Sequence, residues 1–139
     1  MDYIPKYFQP YELVPRETYT ALEKHDIMYQ VWWLFDPRIL QVIDLIRERY
    51  GKMVANTWWW GGIHHYRGFR PGNVIVGSKR SQHRFGRAVD LIPAEVSVEE
   101  IRSTIKNGED FHWITCVESD VSWLHVDVRN YKGLLIVYP

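Results

Sequence analysis

The sequence predicts an α+β fold, in which a small antiparallel sheet carries helices on one face. Three observations lead there. Segments 36–51 and 97–108 show helical apolar spacing between a capping residue and a glycine. Short runs near 53–55, 88–92, 111–117, 123–129 and 134–138 read as strands. The order of these elements along the chain suggests α+β.

Taken in order, residues 1–35 read as an aromatic, irregular segment packed on the rest of the chain. One helical turn fits between the prolines of Phe8-Gln9-Pro10-Tyr11-Glu12-Leu13-Val14-Pro15. Asp36 is a good N-cap, and Pro37 suits the first helical position. Ile39, Val42, Ile43, Ile46 and Tyr50 then fall on one face, and Gly51 supplies the stop. A strand over Met53-Val54-Ala55 is expected to run into Trp58-Trp59-Trp60, where Gly61-Gly62 breaks it. His64 to Gly77 reads as a long loop, the kind of segment that carries function on a rigid scaffold. Ser81-Gln82-His83 reads as a helical turn, and Ala88 to Ile92 as a strand. Ser97-Val98-Glu99-Glu100 is a capping box, Ile101 and Ile105 lie one turn apart, and Asn107-Gly108 ends that helix. Asn130-Tyr131-Lys132-Gly133 is expected to be the hairpin turn between the last two strands.

With 139 residues, 46% of them hydrophobic and 24% charged, the chain suits one globular domain spanning 1–139. Lys plus Arg equals Asp plus Glu, 17 each, so no global charge draws it to nucleic acid or to an acidic membrane. A local basic cluster (Arg67, Arg70, Lys79, Arg80, Arg84, Arg87) points either to an anionic substrate or to a solvated rim. The single cysteine, Cys116, sits in an apolar run and reads as a small core residue, which leaves no disulfide within the chain. The N-terminus lacks the basic and apolar segments of a secretory signal, and no apolar run approaches the ~20 residues of a membrane span. Synthesis in a cytoplasm without signal-driven export is the expectation, with no membrane partner and a monomeric state.

The chemistry concentrates in Ser81-Gln82-His83-Arg84-Phe85-Gly86-Arg87-Ala88-Val89-Asp90 and in Trp123-Leu124-His125-Val126-Asp127. Two imidazoles and one carboxylate form the usual three-ligand set of a catalytic zinc. Gly86 lets the chain bend back tightly between His83 and Asp90. Period two places Ala88 on the strand face of Asp90, and Asp127 on that of His125. His83, Asp90 and His125 are therefore the candidate ligands of one Zn2+ per chain. No His-Glu-x-x-His competes with them. His64 and His65 are adjacent, so they point to opposite faces and cannot easily join one site, although one of them could line a cleft. His25 and His112 carry no pattern.

The pattern Ser-x-His-x-x-Gly-x-Ala-x-Asp resembles the signature of the M15 zinc peptidases, which include D-alanyl-D-alanine carboxypeptidases and phage L-alanyl-D-glutamate endolysins. Arg67-Gly68-Phe69-Arg70 looks like the arginine element that precedes the signature, and Trp-Leu-His-Val-Asp looks like the element of the second histidine. The three pieces occur in the family order over roughly residues 53 to 129, and they are most similar to phage members. The resemblance implies the fold shared by the DD-peptidases and the Hedgehog signalling domain. It also implies zinc on His83, Asp90 and His125, and a substrate-binding role for Arg70. Asp127 would orient a ligand or a substrate group, or else be a solvent-facing strand carboxylate.

One departure concerns the general base. Many members place an acid three residues before the last histidine, where this chain has Ser122. A serine cannot take a proton from water near neutral pH, which leaves Glu118 and Asp120. Related members with a wider spacing suggest that either could reach the metal. Glu118 is favoured, because an apolar strand anchors it, whereas Asp120 looks like a turn residue. The expected function is a zinc-dependent peptidase acting on peptidoglycan stem peptides or cross-links. Such an enzyme would be made in a host cytoplasm and would act at the bacterial cell wall after release, or as part of a virion. The alternative is a metal-stabilised module of the same fold without peptidase activity. A nucleic-acid partner is not expected, since the net charge is zero and no recognition motif is present.

Overall fold

The structure is a computed structural model that describes residues 2–108 and 110–139. Its frame rests on two helices whose starts and stops are built into the sequence. In α3 (Pro37–Tyr50) the Asp36 carboxylate accepts the backbone N–H of Arg38 at 2.9 Å, and Gly51 ends the helix at φ 85°. That helix buries Ile39, Leu40, Val42, Ile43 and Ile46. In α4 (Val98–Lys106) Ser97 Oγ accepts from the Glu100 N–H at 3.1 Å, and Ile101 and Ile105 go inside.

Among the described residues, five strands form one sheet: β1 (Met53–Val54), β2 (Ala88–Pro93), β3 (Cys116–Glu118), β4 (Leu124–Asp127) and β5 (Leu135–Val137), in the order β1-β2-β4-β3-β5. Ala88 pairs with Asp127, Val89 with Val126, Asp90 with His125 and Leu91 with Leu124; Val117 of β3 also pairs with Val126. Alternation then sorts the sheet into two faces. Val89, Leu91, Val117, Leu124 and Val126 are fully buried in the same core as the apolar residues of α3 and α4. Each contributes about 1.5–3 kcal/mol of apolar burial. Ala88, Asp90, Glu118, His125 and Asp127 share the other face. The register that hides the aliphatic side chains is thus the register that assembles the polar ones.

The α+β architecture holds, and four expectations are corrected. Residues 1–35 are not irregular. They form α1 (Pro10–Leu13), α2 (Arg16–Lys24) and a 3-10 helix over Met28–Leu34, and Phe8, Leu13, Val14, Val31 and Phe35 enter the common core. The strand from Met53 stops at Val54, and Trp58–Trp60 form a 3-10 turn closed by Gly61 in the left-handed region. The strand expected over 111–117 is confined to Cys116–Glu118. The last two strands do not pair as a hairpin. Both edges of β4 are taken, by β2 and β3, so β5 lies parallel to β3 at the sheet edge, and the sheet is antiparallel only from β1 through β3. No helix among the described residues is long and apolar enough to cross a membrane.

Candidate metal centre

The turn before β2 sets the site. A 3-10 helix over Gln82–Phe85 starts on Ser81, whose hydroxyl accepts from His83 N, and ends on Gly86 at φ 63°. A Cβ on Gly86 would come within 1.8 Å of the Leu34 carbonyl oxygen, so close approach as well as backbone angle requires glycine. The arginine element is stitched to this turn. Asp90 N–H donates to Arg67 O at 2.7 Å, and Arg70 N–H donates to His83 O at 3.1 Å. Gly68 is pressed against Leu13, where a Cβ would meet the Leu13 carbonyl at 2.1 Å, and its own carbonyl faces His83. Buried Asn56 fixes the start of the element, accepting from Arg67 N and donating to Val14 O.

His83, Asp90 and His125 are all buried, and each offers a ligand atom within 4.8 Å of the others. His83 Nε2 lies 3.3 Å from Asp90 Oδ2, and His125 Nδ1 lies 2.8 Å from Asp90 Oδ1. The remaining ring nitrogens decide the reading. His83 Nδ1 sits 2.8 Å from the Gly68 carbonyl, and His125 Nε2 sits 2.8 Å from Asp127 Oδ2. A carbonyl and a carboxylate only accept, so each outer nitrogen carries its proton. The inner nitrogens of neutral imidazoles then turn lone pairs toward the Asp90 carboxylate. Lone pairs facing a buried anion are unfavourable unless a cation lies among them, so the three residues fit a metal ion.

Without a metal, a proton on His125 takes part of that role. Burial opposes charge on His125, but hydrogen bonds to Asp127 and Asp90 and the nearby carboxylates outweigh it and hold its pKa up at about 9. Burial would raise Asp90, yet its contacts with His125 and His83 bring it well below the usual carboxylate range. Asp127, completely buried, is likewise lowered despite its burial, first by Arg129 and then by His125. Arg129 grips Asp127 with two prongs, Nε to Oδ1 at 2.8 Å and a terminal nitrogen to Oδ2 at 2.6 Å. The chain Arg129–Asp127–His125 thus fixes the ring that faces the centre.

The other sequence candidates separate clearly. Glu118 lies beside the centre, with Oε1 3.6 Å from His125 Nδ1. Asp120 is exposed in the following loop at φ 60°, and Ser122 is exposed too. Arg70 is no surface residue. Its Nε donates to Tyr66 O at 2.8 Å, and its end lies 3.6 Å from Asp90 Oδ2 and 3.5 Å from Ser81 Oγ. Burial lowers its pKa from the ordinary arginine value. Arg70, Glu118, His83, Asp90 and His125 line one cleft of about 440 Å³, together with Arg80, Trp123 and Arg129. Neither His64 nor His65 lines it; the ring of His65 stacks on Trp58. Of the basic cluster, Arg67 and Arg84 are spent largely on backbone carbonyls, and Arg80 reaches the cleft. Sequence reasoning missed Arg129 and Trp123. Extending the period-two pattern from His125 through Asp127 would have reached Arg129, whereas nothing in the sequence singles out the Trp123 indole. Compared with known proteins, the chain matches no family model, no curated protein and no solved structure.

Proposed function

We propose that this chain is a zinc-dependent peptidase of the M15 type that cuts peptide bonds of peptidoglycan, in stem peptides or cross-links. One observation carries the reading. The inner nitrogens of His83 and His125 converge on Asp90, and a further carboxylate, Glu118, and a half-buried arginine, Arg70, border the same cleft. A zinc ion on His83, Asp90 and His125 would supply a Lewis acid and lower the pKa of water toward neutrality. Glu118 would take a proton from the attacking water and return it to the leaving amine. Arg70 has donors to spare, since among the described residues its terminal nitrogens make only the contacts of 3.5 and 3.6 Å. They suit an oxygen of the substrate that gains negative charge, or a substrate carboxylate. Stem peptides carry free carboxylates, which the arginines of the cleft favour. Asp127 and Arg129 would hold His125 in the required tautomer.

The test is zinc content together with release of free amine from purified peptidoglycan. About one zinc per chain with measurable hydrolysis is expected. Full zinc without turnover on peptidoglycan or any stem peptide would leave a metal-stabilised module.

A further inference from the structure

Glu118 ends β3, and five residues separate it from β4. A loop of that length does not by itself hold a carboxylate at a fixed point. Two ties do so here. The Trp123 indole N–H donates to Glu118 Oε1 at 3.1 Å, closing the loop on itself. From α4, the Arg102 guanidinium donates to the carbonyls of Val121 at 3.0 Å and Trp123 at 3.1 Å, and Lys106 Nζ donates to Ser119 Oγ at 3.0 Å. Arg102 is 3% exposed and lies between Ile101 and Ile105, which belong to the core. A buried guanidinium is costly unless its donors are used. One terminal nitrogen of Arg102 serves this loop and the other pairs with Glu99, while Nε has no hydrogen-bond partner among the described residues. Among the described residues, Glu118 Oε2 has no hydrogen-bond partner, so the indole fixes one oxygen and leaves the other open.

We propose that Trp123 is a positioning residue for Glu118, and that Arg102 holds Trp123 in place. The role rests on the peptidase reading of the cleft, but the contact itself can be observed without turnover. The zinc-loaded protein is the sample for both measurements. The first follows the indole N–H resonances by NMR, with Trp123 assigned from its loss in Trp123→Phe. In Glu118→Ala that proton is expected to move upfield and to exchange faster with solvent, whereas Ser122→Ala leaves it in place. The second uses a synthetic stem pentapeptide. Trp123→Phe keeps an aromatic ring and loses the donor, and is expected to lower kcat about tenfold, with KM and zinc stoichiometry unchanged. Arg102→Met is expected to act in the same direction, and Arg102→Lys to recover part of the loss. An indole proton indifferent to Glu118→Ala, or full kcat in Trp123→Phe, would overturn the proposal. If the indole responds to Glu118 while the unaltered protein hydrolyses no peptide, the contact stands and the peptidase reading falls.

Discussion

Two buried carboxylates, Asp44 and Asp90, show how the same side chain serves different ends. Asp44 is 3% exposed on α3, and its oxygens accept from Tyr3 O–H at 2.7 Å, Lys6 N–H at 2.8 Å and Tyr7 N–H at 3.3 Å. Every close partner is a donor, so the group is satisfied as it stands and ties the N-terminal segment to the helix. Asp90, 8% exposed, faces two imidazole nitrogens that present lone pairs when the rings are neutral, because the outer nitrogens carry the protons. Its surroundings are complete only with added positive charge. The first arrangement serves the fold; the second is suited to an ion.

The largest effect that would break this contrast concerns the metal itself. Asp90→Ala or His83→Ala is expected to reduce zinc from about one per chain to near none and to abolish hydrolysis. Chelation of the unaltered protein should lower its stability by about 4 kcal/mol relative to zinc at a thousand times its Kd. Elemental analysis and thermal unfolding with and without chelator measure both. Full zinc in these variants would make Asp90 a second Asp44.

Next in size is the base. Glu118→Gln keeps the shape and loses the basicity, and should cut turnover by about 10²–10⁴-fold while zinc stays bound. Asp120→Asn should leave most activity, since its side chain is exposed in the loop. The reverse pattern, read from amine release, would hand the role to Asp120. Arg70→Lys keeps a charge but loses the planar fork, and should lower activity by about tenfold or more with zinc retained. Near-unaltered turnover by Arg70→Ala would reduce the arginine to a structural contact.

The contrast also has a pH signature. In the metal-free protein His125 titrates near 9, above its ordinary 6.5. Its ion pairs therefore contribute stability that is complete below about 6.5 and is lost as pH rises through about 9. A metal requires the opposite, because Nδ1 must give up its proton. Zinc affinity should climb up to about tenfold per pH unit below about 9, with up to one proton released per zinc bound. Calorimetry in buffers of different ionisation enthalpy counts that proton. Asp127→Asn should weaken zinc affinity about 10–100-fold, since the ring then loses its anionic anchor.

Which parts of this were legible in the sequence follows from how local their causes are. The cap of α3 at Asp36 and the cap of α4 at Ser97 are local, and both ends are found where the residues place them. Period two on β2 and β4 put His125 opposite Asp90 once the strands paired. By contrast, α2 has nine residues and buries none of them completely; Tyr19 and Leu22 meet the core from partly buried positions, so little apolar surface marks the segment. The partner of β5 depends on β4 already having two neighbours, a fact about the sheet rather than about Asn130-Tyr131-Lys132-Gly133. The position of Glu118 depends on Arg102 and Trp123, distant in sequence or silent in pattern. The convergence of His83, Asp90 and His125 could be read from the sequence because the motif residues lie on short rigid elements. The supports around it could not, because they arrive from elsewhere in the chain.

The smallest effect tests the structural side of the contrast. Tyr3 is held to Asp44 by a single hydrogen bond, and burial together with that contact pushes the phenol up to about 12. The phenol therefore stays protonated through the neutral range and acts as a steady donor. Tyr3→Phe removes only the O–H, and the two backbone N–H groups continue to satisfy the carboxylate. The expected loss is about 1 kcal/mol, a fall in melting temperature of roughly 2–8 °C. Asp44→Asn should cost more, about 1–3 kcal/mol, because an amide must replace a charged acceptor of three bonds. In both variants zinc content and turnover at room temperature should equal those of the unaltered protein, since Asp44 and its partners lie outside the cleft. Loss of zinc in either variant would mean that the N-terminal segment braces the metal centre. That coupling would have a route, because Leu13 accepts the Phe69 N–H while its carbonyl presses on Gly68, whose own carbonyl fixes His83. Unchanged zinc with lowered stability would keep the two carboxylates distinct, one built for the fold and one for the ion.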